Sequence, residues 1–267
     1  MIDLGLNGKR AIVSGAGYIP ERAGHGRFSS LNLAAAGATV ACIDIDEGRA
    51  KAIVEEIQAA GGNAFPVIAD MESYAEAERA IAEAVHGLGG VDVCVDIIGE
   101  ATWDRAEDFS PAVWDTTIQR NLSQVFYFFQ LAGRHLIAQG TGGSIVALAS
   151  VDGFVAAAQH APYGAAKAGV VSLVKTFAHE FGKHGIRVNG VAPGNVGSGN
   201  EDQPEGEYAV NGVNPLAAPR AHDIANAVLF LSSALAERIT GQTLVVDGGA
   251  TIKAMWEMDD ATLEGLR

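Results

Sequence analysis

The sequence predicts an α/β fold: one domain built on a doubly wound, seven-stranded parallel sheet with helices on both faces. Three observations carry that expectation. Seven short apolar, β-branched runs alternate along the chain with longer segments of helical period. The runs are continuously apolar, the pattern of strands buried on both faces of a sheet. No Pro/Ser-rich linker and no internal repeat divides the 267 residues, so residues 1–267 read as a single unit.

The elements follow in order. Residues 9–14 read as the first strand and 27–36 as a helix stopped by Gly37. Residues 39–43 form a second strand, then 47–60 a helix that Asp46 can cap and Gly61-Gly62 end. A third strand at 64–69 precedes a helix at 73–86 with Ala and Ile on one stripe, and a fourth strand covers 91–98. One long helix is expected over 111–138, a strand over 143–149, and a helix over 163–184 with Pro162 at its start. Residues 186–192, 223–233 and 243–246 read as strand, helix and strand. Two segments stand outside this rhythm. Residues 195–219 carry glycines, prolines and the acids Glu201, Asp202, Glu205 and Glu207, which is long for a connector and predicts a lid. The tail, 250–267, mixes apolar and acidic residues and is expected to dock on the body or on a partner subunit.

Composition narrows the function classes. Hydrophobic types make up 48% of the chain, enough for a substantial core. Eighteen Lys and Arg against 32 Asp and Glu give a net charge of −14, which disfavours nucleic acid and anionic membrane surfaces as partners. No apolar run reaches the roughly 18 residues of a membrane span, and the start MIDLGLNGKR lacks a signal peptide's apolar stretch. Cys42 and Cys94 each sit in a strand-like run and read as reduced core thiols of a cytoplasmic protein, with no metal site.

In a doubly wound sheet, ligands bind beyond the carboxyl ends of the strands. The first strand ends Ser14-Gly15-Ala16-Gly17, and Gly24-His25-Gly26 opens the next helix. Glycines there let backbone approach a pyrophosphate, which helix N–H groups and the helix dipole stabilise. The six residues from Tyr18 to Ala23 stretch the spacing, and ordinary turn glycines are the bland alternative. The second strand ends at Asp44, followed by Ile45. A carboxylate at that place accepts hydrogen bonds from the adenosine ribose and repels the 2′-phosphate of NADP. Neither of the next two positions is Arg or Lys, so NAD is the expected cofactor. Ser150 ends the fifth apolar run, and Tyr163 and Lys167 follow four residues apart on one helix face. A nearby ammonium is expected to lower the tyrosine pKa from about 10 and make it a usable general acid/base. Taken alone the Tyr–Lys pair could be a plain helix face. Ser150, the glycine loop and Asp44 point to chemistry instead.

Together SGAG…GHG, Asp44, Asp70, Asn121-Leu122, Ser150…YGAAK, VNGVAPGNVGS and ITGQTLVVDGG resemble the short-chain dehydrogenase/reductase superfamily, over about residues 7–250. The resemblance implies a Rossmann fold, a homotetramer, and roles for matching residues. Tyr163 would be the acid/base, Lys167 would lower its pKa and bind the nicotinamide ribose, Ser150 would hold the substrate oxygen, and Asn121 would support a relay water. Ser14, Gly15, Gly24, His25 and Gly26 would serve the phosphate loop, Asp44 and Ile45 the ribose, Asp70 and Met71 the adenine, and Gly99 the cleft. Pro193, Gly194, Val196 and Ser198 would flank the nicotinamide. Three places depart from the family pattern: the lengthened Gly15–Gly24 loop, Asp96-Ile97-Ile98-Gly99 where Asn-Asn-Ala-Gly is usual, and the acidic tail. Family enoyl reductases also stretch the first loop, but their lysine spacing differs from YGAAK. Substrate residues are expected from the loops after Gly99, Ser150 and Gly194, namely Glu100, Trp103, Phe154, Val155, His160 and Tyr208. Their partly aromatic walls suit a small neutral secondary alcohol or ketone. Other chemistries on the same frame stay open: a dihydrodiol dehydrogenase, a dehydratase or epimerase, an NADP-dependent 3-oxoacyl reductase, or a non-catalytic NAD sensor.

Overall fold

The computed structural model describes residues 3–19, 24–156, 158–196 and 215–252. Its centre is one seven-stranded parallel sheet in the order β3-β2-β1-β4-β5-β6-β7. The strands are β1 (Arg10–Ser14), β2 (Thr39–Asp44), β3 (Asn63–Ile68), β4 (Val93–Asp96), β5 (Gly143–Leu148), β6 (Ile186–Pro193) and β7 (Thr243–Val246). The helices are α1 (His25–Ala35), α2 (Glu47–Ala59), α3 (Tyr74–Leu88), α4 (Pro111–Ile118), α5 (Gln124–Gln139), α6 (Ala161–Phe181) and α7 (Ala221–Ser232). The chain runs outward from β1 to β3, then returns to place β4 on the other side of β1. That reversal opens a crevice at the carboxyl ends of β1 and β4, where this class of sheet receives ligands.

Two apolar cores flank the sheet. One packs Ile12, Ile43, Phe128, Phe129, Val170 and Val174 beneath α3, α5 and α6. The other packs Val13, Leu33, Val40, Ile57, Val146 and Val228 beneath α1, α2 and α7. Neighbouring strand residues such as Ile12 and Val13 go to opposite cores, as the period-2 geometry of a strand requires. Cys42 and Cys94 are free and buried, and burial pushes both thiols up, Cys42 to about 12. They behave as core packing groups, as the sequence implied.

Local signals account for several boundaries. Asp46 caps α2, accepting from the Arg49 N–H at 2.8 Å. Ser110 caps α4 with Pro111 in its first turn, and Pro162 lies in the first turn of α6. The helix expected over 111–138 runs without a gap from Pro111 to Gln139, but it is not α-helical throughout. A π-helical turn, Gln119–Ser123, separates α4 from α5 and centres on Asn121. The Asn121 side chain binds both backbone groups of Glu100 and the Thr117 carbonyl, so a helix residue is pulled toward a neighbouring loop. An inserted π turn is a common way for a helix to re-aim a side chain at a site. The fourth strand is also shorter than expected at both ends, and beyond it Ile97 and Ile98 line the crevice. Most of the expected lid and tail, with Ser198 and Tyr208, lies outside the described residues.

Phe128 is fully buried under the sheet. Phe128→Ala should cost about 3–5 kcal/mol of stability. Urea unfolding followed by circular dichroism checks this; an unchanged midpoint would contradict the packing described.

Candidate active site

The crevice at the β1–β4 junction is a cavity of about 600 Å³. It gathers Gly15, Gly24, His25, Gly26, Asp44, Ile45, Asp70, Met71 and Gly99, nine residues that the sequence singled out for a nucleotide and that lie far apart along the chain. Ser14 stays behind this surface, fully buried and opposite Asp96 in the strand register. Close packing explains two of the glycines. A Cβ on Gly26 would run into the Gly15 carbonyl, so the start of α1 can lie against the end of β1 only without a side chain. A Cβ on Gly99 would come within 2.9 Å of Asn121 Oδ1 and 3.0 Å of Lys167 Nζ.

The cavity fits a dinucleotide on its own chemistry. Helix α1 turns its free N–H groups toward it, which favours an anion. His25 Nε2 is buried there without a hydrogen-bond partner among the described residues. Burial and the charge of Lys167 push the His25 pKa down to about 4, so the ring is a neutral polar group near pH 7. The Asp44 carboxylate stands at the far end and accepts from the Gly17 N–H at 3.1 Å and the Asp46 N–H at 3.0 Å.

Asp44 also has a partner that the sequence reading missed. Arg49 Nε and Nη2 lie 3.1 and 2.7 Å from Asp44 Oδ1. Neither of the two positions after Asp44 is Arg or Lys, but the first turn of α2 brings the fifth residue, Arg49, back onto the carboxylate. Helical spacing after the Asp46 cap was the available signal.

At the ends of β5 and α6 lies the second group. Ser150 is buried just past β5, and its hydroxyl accepts from the Asp152 N–H at 3.2 Å. Tyr163 and Lys167 share a face of α6, with Lys167 Nζ 5.6 Å from the tyrosine ring centre. Lys167 is only 2% exposed, and its amine donates to the Leu148 carbonyl at 2.8 Å. Burial lowers its pKa to about 8, with the Asp96 carboxylate opposing. Asn121 approaches from the π turn and spends its amide on Glu100 and Thr117, so it positions the loop that covers the lysine.

One expectation is corrected here. The tyrosine pKa is raised, to about 12, and not lowered by the lysine. Burial is the main cause; the Ser150 hydroxyl partly offsets it, and the Asp152 carboxylate pushes it further up. The lysine is itself held near 8 by burial, and its amine is committed to Leu148.

Asp96 stands where the resemblance leads one to expect Asn, and a buried carboxylate needs a partner; Gln124 Nε2 donates to its Oδ2 at 3.0 Å, while Oδ1 has no hydrogen-bond partner among the described residues. Gln124, the first residue of α5, was not legible as a partner because only the π turn aims it there. Burial raises the Asp96 pKa to about 6; Gln124, Ser14 and Lys167 limit the rise.

The expected substrate residues divide. Glu100 is ion-paired to Arg120, which also binds Glu72 at 2.6 Å, so its carboxylate closes the edge of the cofactor cavity. Trp103, Phe154 and Val155 are exposed at 67%, 49% and 43%. His160 is buried, stacked against Trp103, and paired with Asp152. Pro193 ends β6, and Gly194 and Val196 follow it; the Gly194 N–H donates to the Val246 carbonyl at 2.9 Å and fixes the turn.

A doubly wound sheet, a strand-end crevice lined by glycines and Asp44, and a serine, tyrosine and lysine at a neighbouring strand end are the features expected of a nucleotide-dependent oxidoreductase. Comparison with known proteins agrees. The family described as enoyl-(acyl carrier protein) reductase matches residues 21–251. L-rhamnose 1-dehydrogenase (NAD(P)(+)) of Sphingomonas sp. (strain SKA58) is 36% identical over 91% of this chain and 96% of its own. D-threitol dehydrogenase of Mycolicibacterium smegmatis is 34% identical over 94% and 96%. Carveol dehydrogenase from Mycobacterium avium in complex with NAD superposes with a TM-score of 0.83 at 29% identity, covering 92% of this chain and 99% of that one. The chain belongs to the short-chain dehydrogenase/reductase superfamily. It is an oxidoreductase acting on CH–OH groups.

The raised carboxyl of Asp96 has a consequence for stability. Its folded pKa of about 6 stands above the ordinary 3.8, so the folded state holds that proton more tightly than the unfolded state. Stability is therefore lost as pH rises from about 4 to 6. Asp96→Asn should change the melting temperature little at pH 4 and raise it relative to the parent at pH 7. Calorimetry at both values checks this; a difference that does not grow with pH would refute the assignment.

Proposed function

We propose that the protein is an NAD-dependent dehydrogenase that interconverts a small neutral secondary alcohol and its ketone, with Tyr163 as general acid/base. The observation that carries this reading is the grouping of Ser150, Tyr163, Lys167 and Asn121 at the strand end beside the nucleotide-shaped cavity. Gly15, Gly24, His25, Gly26, Asp44, Asp70 and Gly99 would hold the dinucleotide along that cavity. A bound nicotinamide supplies the hydride acceptor or donor.

The side chains divide the remaining work. Ser150 holds the substrate oxygen close to the tyrosine hydroxyl. Tyr163 takes the alcohol proton in oxidation or returns it in reduction, and positioned proton transfer of this kind contributes about 10²–10⁴-fold. The phenol titrates near 12 in the free protein, so the proton-poor state needs added positive charge. Lys167 is the cation within reach, and its amine near 8 can carry that charge at neutral pH. Gly99 and Asn121 hold the loop over the amine and keep water from solvating it.

For the cofactor, Asp44 at the ribose end supports NAD. Arg49 supports a second reading, use of both NAD and NADP. Its side chain is 31% exposed, and turned away from Asp44 it would set a cation where a 2′-phosphate falls. A relative of this chain is named for NAD(P)(+). A homotetramer is consistent with Trp114 and Phe126 exposed on α4 and α5, and Leu244 and Val245 on β7. Buried, reduced Cys42 and Cys94 suit a cytoplasmic setting. No helix among the described residues is long and apolar enough to cross a membrane.

Tyr163→Phe should lower kcat by about 10²–10⁴-fold with any alcohol the parent oxidises, while NAD affinity, read by fluorescence titration, stays within a few-fold. An unchanged rate would remove Tyr163 from the reaction. In cofactor comparisons, kcat/KM for NAD should exceed that for NADP, and Arg49→Ala should widen the ratio. A parent enzyme that prefers NADP would overturn the reading of Asp44.

A further inference from the structure

We propose that Asp152 and His160 form a dyad that recognises a substrate hydroxyl next to the reacting carbon, so that vicinal diols and polyols are preferred to simple secondary alcohols. The inference rests on the alcohol-oxidoreductase reading above and adds the class of substrate to it.

Both residues are anchored to the reacting groups. Asp152 lies in the short 3₁₀ turn after β5, two residues beyond Ser150, and its N–H donates to the Ser150 hydroxyl at 3.2 Å. His160 precedes α6 by one residue and Tyr163 by three, and its ring centre is 5.1 Å from that of Tyr163. Asp152 Oδ2 and His160 Nδ1 are 2.7 Å apart. The imidazole is 4% exposed, yet its Nε2 has no hydrogen-bond partner among the described residues.

A buried histidine that only packs a core has both nitrogens satisfied, because an unmet polar atom costs about 1–3 kcal/mol. Here one nitrogen is held by a carboxylate and the other is left over beside the reacting tyrosine. The carboxylate fixes the proton on Nδ1 and leaves a lone pair at Nε2. A hydroxyl donates to that lone pair, and it can also accept from the ring if the ring gains a proton. A methylene does neither. Trp103 covers the same imidazole, and with 67% of its own surface exposed it can move aside without opening the core. Its flat face then suits the C–H side of a polyhydroxylated chain.

The test compares two probes that differ by one hydroxyl, 2,3-butanediol and 2-butanol, by steady-state kinetics with the preferred nicotinamide cofactor. The parent should show the higher kcat/KM with the diol. His160→Asn keeps a donor to Asp152 but has no distal nitrogen. It should cut the diol-to-monool ratio of kcat/KM by about 10–100-fold. His160→Gln, which can place a polar atom near the lost Nε2, should retain more of the ratio and provides the comparison if the first variant folds poorly. A ratio unchanged in both variants, or a parent that favours 2-butanol, overturns the proposal and leaves the oxidoreductase reading in place. A parent that oxidises neither probe, nor any member of a panel of polyols, terpenols and hydroxysteroids, sinks that reading first and this inference with it.

Discussion

The structure depends on burying one ammonium. Lys167 lies almost wholly out of water at the end of the sheet, which is costly unless every surrounding group answers the charge. Four separate parts of the chain do so. The last carbonyl of β5 accepts from the amine. Asp96, at the end of β4, supplies a nearby carboxylate. Gly99 leaves the space for the amine, and Asn121, carried in by the π turn, holds the loop that follows Gly99. Leu148, Gly99 and Asn121 fix where the amine sits, and the Asp96 carboxylate opposes the effect of burial on its charge.

That arrangement explains why polar residues at this end of the sheet look out of place in a linear reading. Asp96 in an apolar strand, Gln124 at the start of an apolar helix and Asn121 within a helix are each unfavourable alone. In the fold they find partners near Lys167, Gln124 on Asp96 and Asn121 on the Glu100 backbone. Gly99 borders both the crevice and Lys167. The net charge of −14 makes the local chemistry more important. An anionic ligand in the crevice would meet an unfavourable overall field, which backbone N–H groups and nearby cations would have to offset.

The sheet was legible because burial on both faces writes itself as continuous apolar runs, and all seven runs became strands. Strand ends then located the crevice, since ligands of such sheets bind there, and nine residues expected to hold a nucleotide do line one cavity. Tyr163 and Lys167 were legible for a simpler reason: four residues apart on a helix is one face, whatever the rest of the fold does. The π turn within the long helix at Asn121 was not legible. A π turn has no strong local signature and forms because the loop at Glu100 draws the side chain out.

By itself the sequence determined the topology class, the place of the crevice and the trio Ser150, Tyr163 and Lys167 that is proposed to react, because each follows from period, spacing and strand-end position. The tertiary structure alone decided the electrostatics. It set Arg49 on Asp44, Gln124 on Asp96 and Asp152 on His160, and it reversed the expected direction of the Tyr163 pKa. These outcomes depend on distance through a low-dielectric interior and on loss of water, and neither quantity is carried by residue type or spacing along the chain.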